Sequence, residues 1–229
     1  MCLGAAGAQW DGFIMGLLVE RHHGSQRIIH MTSQIILASG SAIRQSLLTT
    51  AGLRFAIQPA RIDEEAVTEA MLANDSAPRE IADALAELKA LKVSQKAPEA
   101  LVIGCDQVLS LDRRILHKPR DTDDCRAQLL AMRGRQHDLF SAVVICQEGR
   151  AIWRHVGRAR MSVRFFSNRW MKGYIDRNWE SIRHSVGGYR LEEEGVRLFT
   201  QVEGDYFTVL GLPLLELLGF LTERGDLEQ

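Results

Sequence analysis

The segment LVIGCDQVLSLD, residues 101–112, constrains the fold more than any other stretch. It is rich in branched apolar residues and shows little alternation, the pattern of a strand covered on both faces. A strand of that kind needs a layer above and a layer below it. Of its two carboxylates, Asp112 ends the segment and Asp106 falls in the middle of the apolar run. Burying a lone carboxylate is costly unless a cation, a metal or hydrogen bonds compensate it.

The rest of the chain supplies the layers. A strand at 34–38 runs through Ser39-Gly40-Ser41 into a helix on which Ile43, Leu47, Leu48 and Ala51 share a face, with Gly52 placed to end it. Residues 55–57 read as a second strand and RIDEE, 61–65, as a loop. A long amphipathic helix is expected over 78–93, with Ile81, Leu85, Leu88 and Lys92 at helical spacing. Asp121 is a suitable N-cap for a helix over 121–132. Two β-like segments, 136–147 and 150–165, flank Glu148-Gly149 and predict a hairpin. A helix at 167–179, a turn at Gly187-Gly188, a strand at 196–202 and an apolar helix at 213–221 complete the chain. Alternating strands and helices with one hairpin predict a single α/β domain with a mixed sheet.

Composition excludes several function classes. Of 229 residues, 46% are hydrophobic and 25% charged, enough for one sizeable core. Lys and Arg number 28 and Asp and Glu 29, so no overall basic field recruits nucleic acid or an acidic membrane. Four scattered cysteines without a C-x-x-C pair fit free thiols in a reducing cytoplasm. Phe13–Val19 is apolar but too short to cross a membrane, and its flanks suit a signal peptide poorly. Residues 1–30 read as a weakly ordered extension, with Met31 expected as the true start.

Four features carry chemistry. Ser39, Ser41 and Arg44 lie where a strand enters a helix, a place where hydroxyls, free backbone N–H groups and a guanidinium together form an anion site. The same serines would also serve as an ordinary N-cap. Asp106, followed by Gln107, is the buried carboxylate, and Lys118 follows a turn that returns it toward the same end of the sheet. Asp63, Glu64 and Glu65 add oxygen ligands, although a solvated loop carries such residues too. Lys89, between apolar neighbours on a helix, fits a snorkelling surface residue. Jointly they contain the parts for phosphoryl chemistry with Mg²⁺ or Mn²⁺.

Their order along the chain is more telling. S-G-S-x-x-R, D-E, A-x-x-K-A, G-x-D-Q-V, K-P-R-D, R-G-R-x-H, E-G-D-Y and G-L-P, from Ile35 to Leu218, resemble the Maf family of nucleotide pyrophosphatases. The resemblance implies a Maf-type domain with a mixed, twisted β-sheet flanked by helices. It implies cleavage between the α- and β-phosphates of a nucleoside triphosphate, a divalent metal and a possible homodimer. It assigns Asp106 as proton acceptor, Ser39, Ser41, Arg44, Lys89 and Lys118 to the phosphates, and Glu64 with Asp106 to the metal.

Departures from that pattern concern the base. Family members commonly read S-P-R-R after the first serine, and here Ser41-Ala42-Ile43-Arg44 lacks the first of the paired arginines. Gln107 and Glu192 resemble the branch acting on 7-methyl-GTP, and a carboxylate accepts hydrogen bonds from guanine N1–H and its amino group. Ile43 stands where that branch usually carries an aromatic residue, so no ring is offered to stack on a cationic base. Two other readings remain: a nucleotide-binding regulator of cell division or septum formation without turnover, and an inosine-triphosphate-type pyrophosphatase.

Overall fold

Strand β3, Leu101–Leu111, is the spine of a seven-stranded sheet, and every residue of it except Gln107 is buried. The computed structural model describes residues 34–227; the expected extension over 1–30 and Met31 lie outside these described residues. One edge of β3 is paired antiparallel to β5, Gln136–Gln147, from Val102 to Ser110. Two short strands share the other edge. β1, Ile35–Leu37, runs parallel beside residues 101–103, and β4, Arg114–Leu116, runs antiparallel beside 109–111. Between them, residues 104–108 have no strand on that side. β2, Ala56–Ile57, lies parallel outside β1, and β6, Arg150–Val163, and β7, Phe199–Glu203, extend the sheet beyond β5. The sheet is therefore mixed, as the hairpin required.

Helices cover both faces. On one, α3, Pro78–Ser94, packs Ile81, Ala82, Leu85, Ala86, Ala90 and Val93 against Val102, Val108, Ala142 and Val144. A Cβ at Gly104 would stand 2.2 Å from the Ala86 carbonyl oxygen and 2.7 Å from the Ala90 nitrogen. The missing side chain at 104 and the alanines facing it let helix and strand touch. On the other face, α1, Ala42–Thr50, and α7, Leu214–Arg224, enclose Leu37, Leu48, Ile103, Val143, Leu217 and Leu221. A further cluster joins α4, Thr122–Met132, and α5, Asn168–Ile182, to Leu109, Leu139 and Met161.

Several expectations need correction. RIDEE is no loop throughout: Asp63 accepts a hydrogen bond from the Ala66 N–H at 3.0 Å and caps helix α2, Glu64–Ala73. The buried stripe of α3 runs through residues 81, 82, 85, 86, 89, 90 and 93, so Leu88 and Lys92 face solvent and Lys89 faces the sheet. The strand expected at 196–202 begins only at Phe199, because Glu194–Leu198 form a 3₁₀ turn. Tyr206–Val209 form a single helical turn, α6, capped by Asp205. The hairpin stands, with positive φ at both Glu148 and Gly149 and β6 ending at Val163. Among the described residues no helix is long and apolar enough to cross a membrane.

Candidate active site

The unpaired stretch of β3 opens into a cleft of about 1220 Å³ whose walls include Ser39, Ser41, Ile43, Arg44, Glu64, Lys89, Asp106, Gln107, Lys118 and Glu192. Of the site residues expected from the sequence, all but Asp63, which caps α2, border this one cleft.

At one side β1 delivers Ser39-Gly40-Ser41 to the start of α1. Ser41 occupies the N-cap position with extended backbone, yet its side chain makes no capping hydrogen bond. The first N–H groups of α1 therefore carry their partial positive charge without a side-chain acceptor, and α1 has no acidic residue in its first turn. Ser39 shapes the turn instead, its hydroxyl oxygen accepting from the Ser41 N–H at 3.3 Å and from Arg44 Nη1 at 3.2 Å. Arg44 is buried and largely committed to the fold. Its Nε donates to the Gly211 carbonyl at 2.8 Å, and its Nη1 also donates to the Cys105 carbonyl at 3.0 Å, on the strand edge that lacks a neighbour. Of its five N–H donors only the Nη2 pair is left for a ligand.

Across the cleft, Lys89 joins two carboxylates. Its Nζ lies 2.5 Å from Asp106 Oδ1 and 2.7 Å from Glu64 Oε1. Lys89 reaches this position because Gly104 brings α3 onto β3, and Glu64 because Asp63 starts α2 there. A buried lysine is stable only with such partners, which is why the snorkelling expectation fails. Burial pushes the Asp106 carboxyl above its ordinary range, against the opposing pull of Lys89 and Arg44. Burial also pushes Glu64 up, but there Lys89, Lys118 and Arg44 prevail and hold it below the ordinary value. Two carboxylates in different electrostatic settings thus flank one ammonium.

The donor chemistry fits a divalent ion. Glu64 and Asp106 offer hard oxygens converging on a single cationic point, and Mg²⁺ is typically held by one or two carboxylates with phosphate oxygens and water completing the shell. Among the described residues no three His, Cys, Asp or Glu side chains gather to cage a metal unaided. Protein and a phosphate-bearing ligand would hold such an ion jointly.

Lys118 returns to the cleft through the β3–β4 turn, where Asp112 and Arg113 adopt positive φ, and its charge reaches Glu64. Asp106 and Gln107, consecutive on a strand, project to opposite faces: Asp106 meets α3, whereas Gln107 Nε2 donates to the Thr208 and Val209 carbonyls of α6. Ile43 is half-buried on the cleft wall rather than in the core. Glu192 lies 3.3 Å from Arg190, which also pairs with Glu193 at 2.5 Å. Sequence reasoning missed Arg114, Arg120 and His117, which add cationic and titratable groups near Lys118. Their signal was the clustering of basic residues over 113–120, which is legible once β4 is recognised.

The chain is similar to known proteins over nearly all of its described length. The family model described as Maf-like protein matches residues 34–224. A nucleoside triphosphate pyrophosphatase of Roseobacter denitrificans is 55% identical over 86% of this chain and 99% of its own length. One of Caulobacter vibrioides is 52% identical over 84% of this chain and 96% of its own. A 7-methyl-GTP pyrophosphatase of Mesorhizobium japonicum is 45% identical over 86% of this chain and its own full length. With nearly the whole described region matched, the chain belongs to the Maf-like protein family.

Proposed function

We propose that this protein is a nucleoside triphosphate pyrophosphatase that hydrolyses the bond between the α- and β-phosphates, releasing a nucleoside monophosphate and pyrophosphate. One observation carries the reading: an anion-binding helix start and a buried, cation-compensated carboxylate border the same cleft. The α1 N–H groups, the hydroxyls of Ser39 and Ser41, Arg44 Nη2, and Lys118 bind the phosphates. Asp106 accepts the proton of a water that attacks the α-phosphorus, and pyrophosphate leaves with the electrons of the broken P–O bond. A carboxyl raised by burial is a better base near neutrality than an ordinary aspartate. Lys89 holds Asp106 in place and neutralises charge gathering on the phosphates. When bound, a divalent ion held by Glu64 and Asp106 would add charge neutralisation at the phosphate oxygens.

Gln107 and Glu192 line the cleft away from the Lys89 pair and make the base-selective end, with Ile43 as an apolar wall. Both polar groups offer acceptors to a base, and the relative named for 7-methyl-GTP favours a guanine-type or methylated base. The test is a panel of triphosphates with Mg²⁺ or Mn²⁺, following pyrophosphate. Release from a guanine-type nucleotide supports the reading. Binding without product after long incubation supports the regulator, and preference for inosine triphosphate supports the third reading. The family resemblance also points to a homodimer, which light scattering on the purified chain tests.

A further inference from the structure

Gln107 has a cross-strand partner that hydrogen-bonds one end of its amide. Ser141 of β5 lies directly opposite it in the ladder, and Gly157 of β6 lies opposite Ser141. The three form a row across the sheet. A Cβ at Gly157 would come 2.4 Å from Thr208 Oγ1, so the missing side chain lets α6 settle onto the row. Asp205 pins that single turn by accepting the Thr208 N–H at 2.8 Å. The Thr208 and Val209 carbonyls then point at Gln107, whose Nε2 lies 3.2 Å from the first and 3.0 Å from the second.

Ser141 completes the cage. It is fully buried and donates its only hydroxyl proton to the Thr208 carbonyl at 2.7 Å. With that proton committed, Ser141 Oγ meets Gln107 as an acceptor, 2.9 Å from Nε2. Three acceptors surround one end of the amide. Turning it over would set Oε1 against two carbonyl oxygens and a lone pair. The NH₂ group is held inward, which leaves the carbonyl oxygen, beside Gly211, as the end of the amide turned away from the cage.

We infer that Ser141 is a positioning residue for base selection: with the Thr208 and Val209 carbonyls it locks the Gln107 amide so that an acceptor alone is presented to the base. The inference rests on the pyrophosphatase reading for its consequence in substrate choice, and on geometry alone for the lock. A glutamine free to turn over would accept from one base and donate to another. Held in one orientation, it favours base edges that place a donor against it and disfavours those that place a carbonyl there.

Two measurements test this. Hydrogen exchange of the Gln107 side-chain NH₂, its nitrogen-15 signal assigned by its loss in Gln107→Leu, should be slow in the wild type and about fivefold faster in Ser141→Ala. Exchange in the wild type as fast as that of an exposed glutamine overturns the lock. Ser141→Ala removes one of the three acceptors, loosening the orientation about fivefold, the weight of one ordinary hydrogen bond. The spread in kcat/KM between the most and least preferred of GTP, 7-methyl-GTP, UTP and dTTP should contract by that factor. A lowered Tm with an unchanged spread would make Ser141 merely structural and overturn its role. Should the wild-type enzyme release no pyrophosphate from any triphosphate, the functional reading fails while the amide exchange still decides the lock.

Discussion

Replacing Lys89 with methionine probes the centre of the cleft most directly. Methionine preserves most of the aliphatic stem and removes the ammonium that both Asp106 and Glu64 contact. Glu64 is half exposed and water compensates it, but the Asp106 side chain is only 8% exposed. The variant must either bury that charge unpaired or keep the carboxyl protonated. Holding an ordinary aspartate protonated at neutral pH costs at most about 4 kcal/mol, since about three pKa units separate its value from pH 7 at about 1.4 kcal/mol each. That limit falls within the about 3–5 kcal/mol typical of breaking a buried pair from one side. The sign of the pH dependence follows. Asp106 already has a folded value above its unfolded one, so its ionisation lowers stability as pH rises from the unfolded value through the folded one. Losing Lys89 raises the folded value further. The penalty of Lys89→Met therefore shrinks on acidification, to at most about 1.5 kcal/mol near about pH 5. Urea unfolding of both proteins at neutral pH and near about pH 5 measures it, and Lys89→Met/Asp106→Asn should recover most of the loss. A cost below about 1 kcal/mol at neutral pH, or one equal at both pH values, refutes the buried-pair reasoning.

Asp106→Asn should lower kcat for pyrophosphate release by about 10²–10⁴, the usual weight of a general base, while destabilising less than Lys89→Met because Glu64 remains 2.7 Å from Lys89. In the wild type, kcat/KM should rise with pH through a limb above the ordinary aspartate range, because the base works ionised and burial raises Asp106. Arg44→Lys should lower stability by about 1–3 kcal/mol in urea unfolding, since one ammonium cannot reach Gly211, Ser39 and Cys105 in the geometry of the guanidinium fork. Gly104→Ala should lower Tm and kcat together, because its Cβ would displace α3 at Ala86 and carry Lys89 away from Asp106. Cys105, Cys125 and Cys146 are buried with thiols pushed up to about 11, about 12 and about 11, so a disulfide reagent should leave all three unmodified until the protein is unfolded.

What the sequence disclosed depended on whether a signal was local. The apolar run of β3 and the Glu148-Gly149 turn are statements about consecutive residues, and both held. The left-handed C-terminal residue after α1, Gly52 with φ of 80°, is equally local. Lys89 shows the other case. From spacing alone it lies beside the stripe 81, 85, 88, 92, and only the alanines at 86 and 90 facing Gly104 rotate α3 so that 89 is buried and 88 is not. Helix α2 was readable from Asp63 as a cap with Glu64 and Glu65 in the first turn, but the acidic cluster resembles a loop if the cap is not weighed. Arg44 looked like a phosphate ligand on its own segment. That it also ties residues 61 and 167 positions away in the chain is a property of the sheet's connectivity, which no window contains.

The interrupted edge of β3 explains why these residues meet at all. Had one strand run the full length beside β3, the Cys105 carbonyl would have found a backbone partner and Asp106 would have lain beneath a closed sheet. Instead β1 stops at Leu37 and β4 begins to pair only at Leu109, on opposite sides of the gap. The carbonyl left over must be satisfied, and Arg44 does so from the first turn of the helix that follows β1. The same guanidinium then lies near enough to Asp106 to oppose the effect of burial on it. Crevices form where strand order leaves an edge open beyond the carboxyl ends of parallel strands. In this sheet the crevice cuts through the central strand's own edge. A single strand can therefore send Asp106 toward Lys89 on one face and Gln107 toward α6 on the other, with both in reach of one bound molecule.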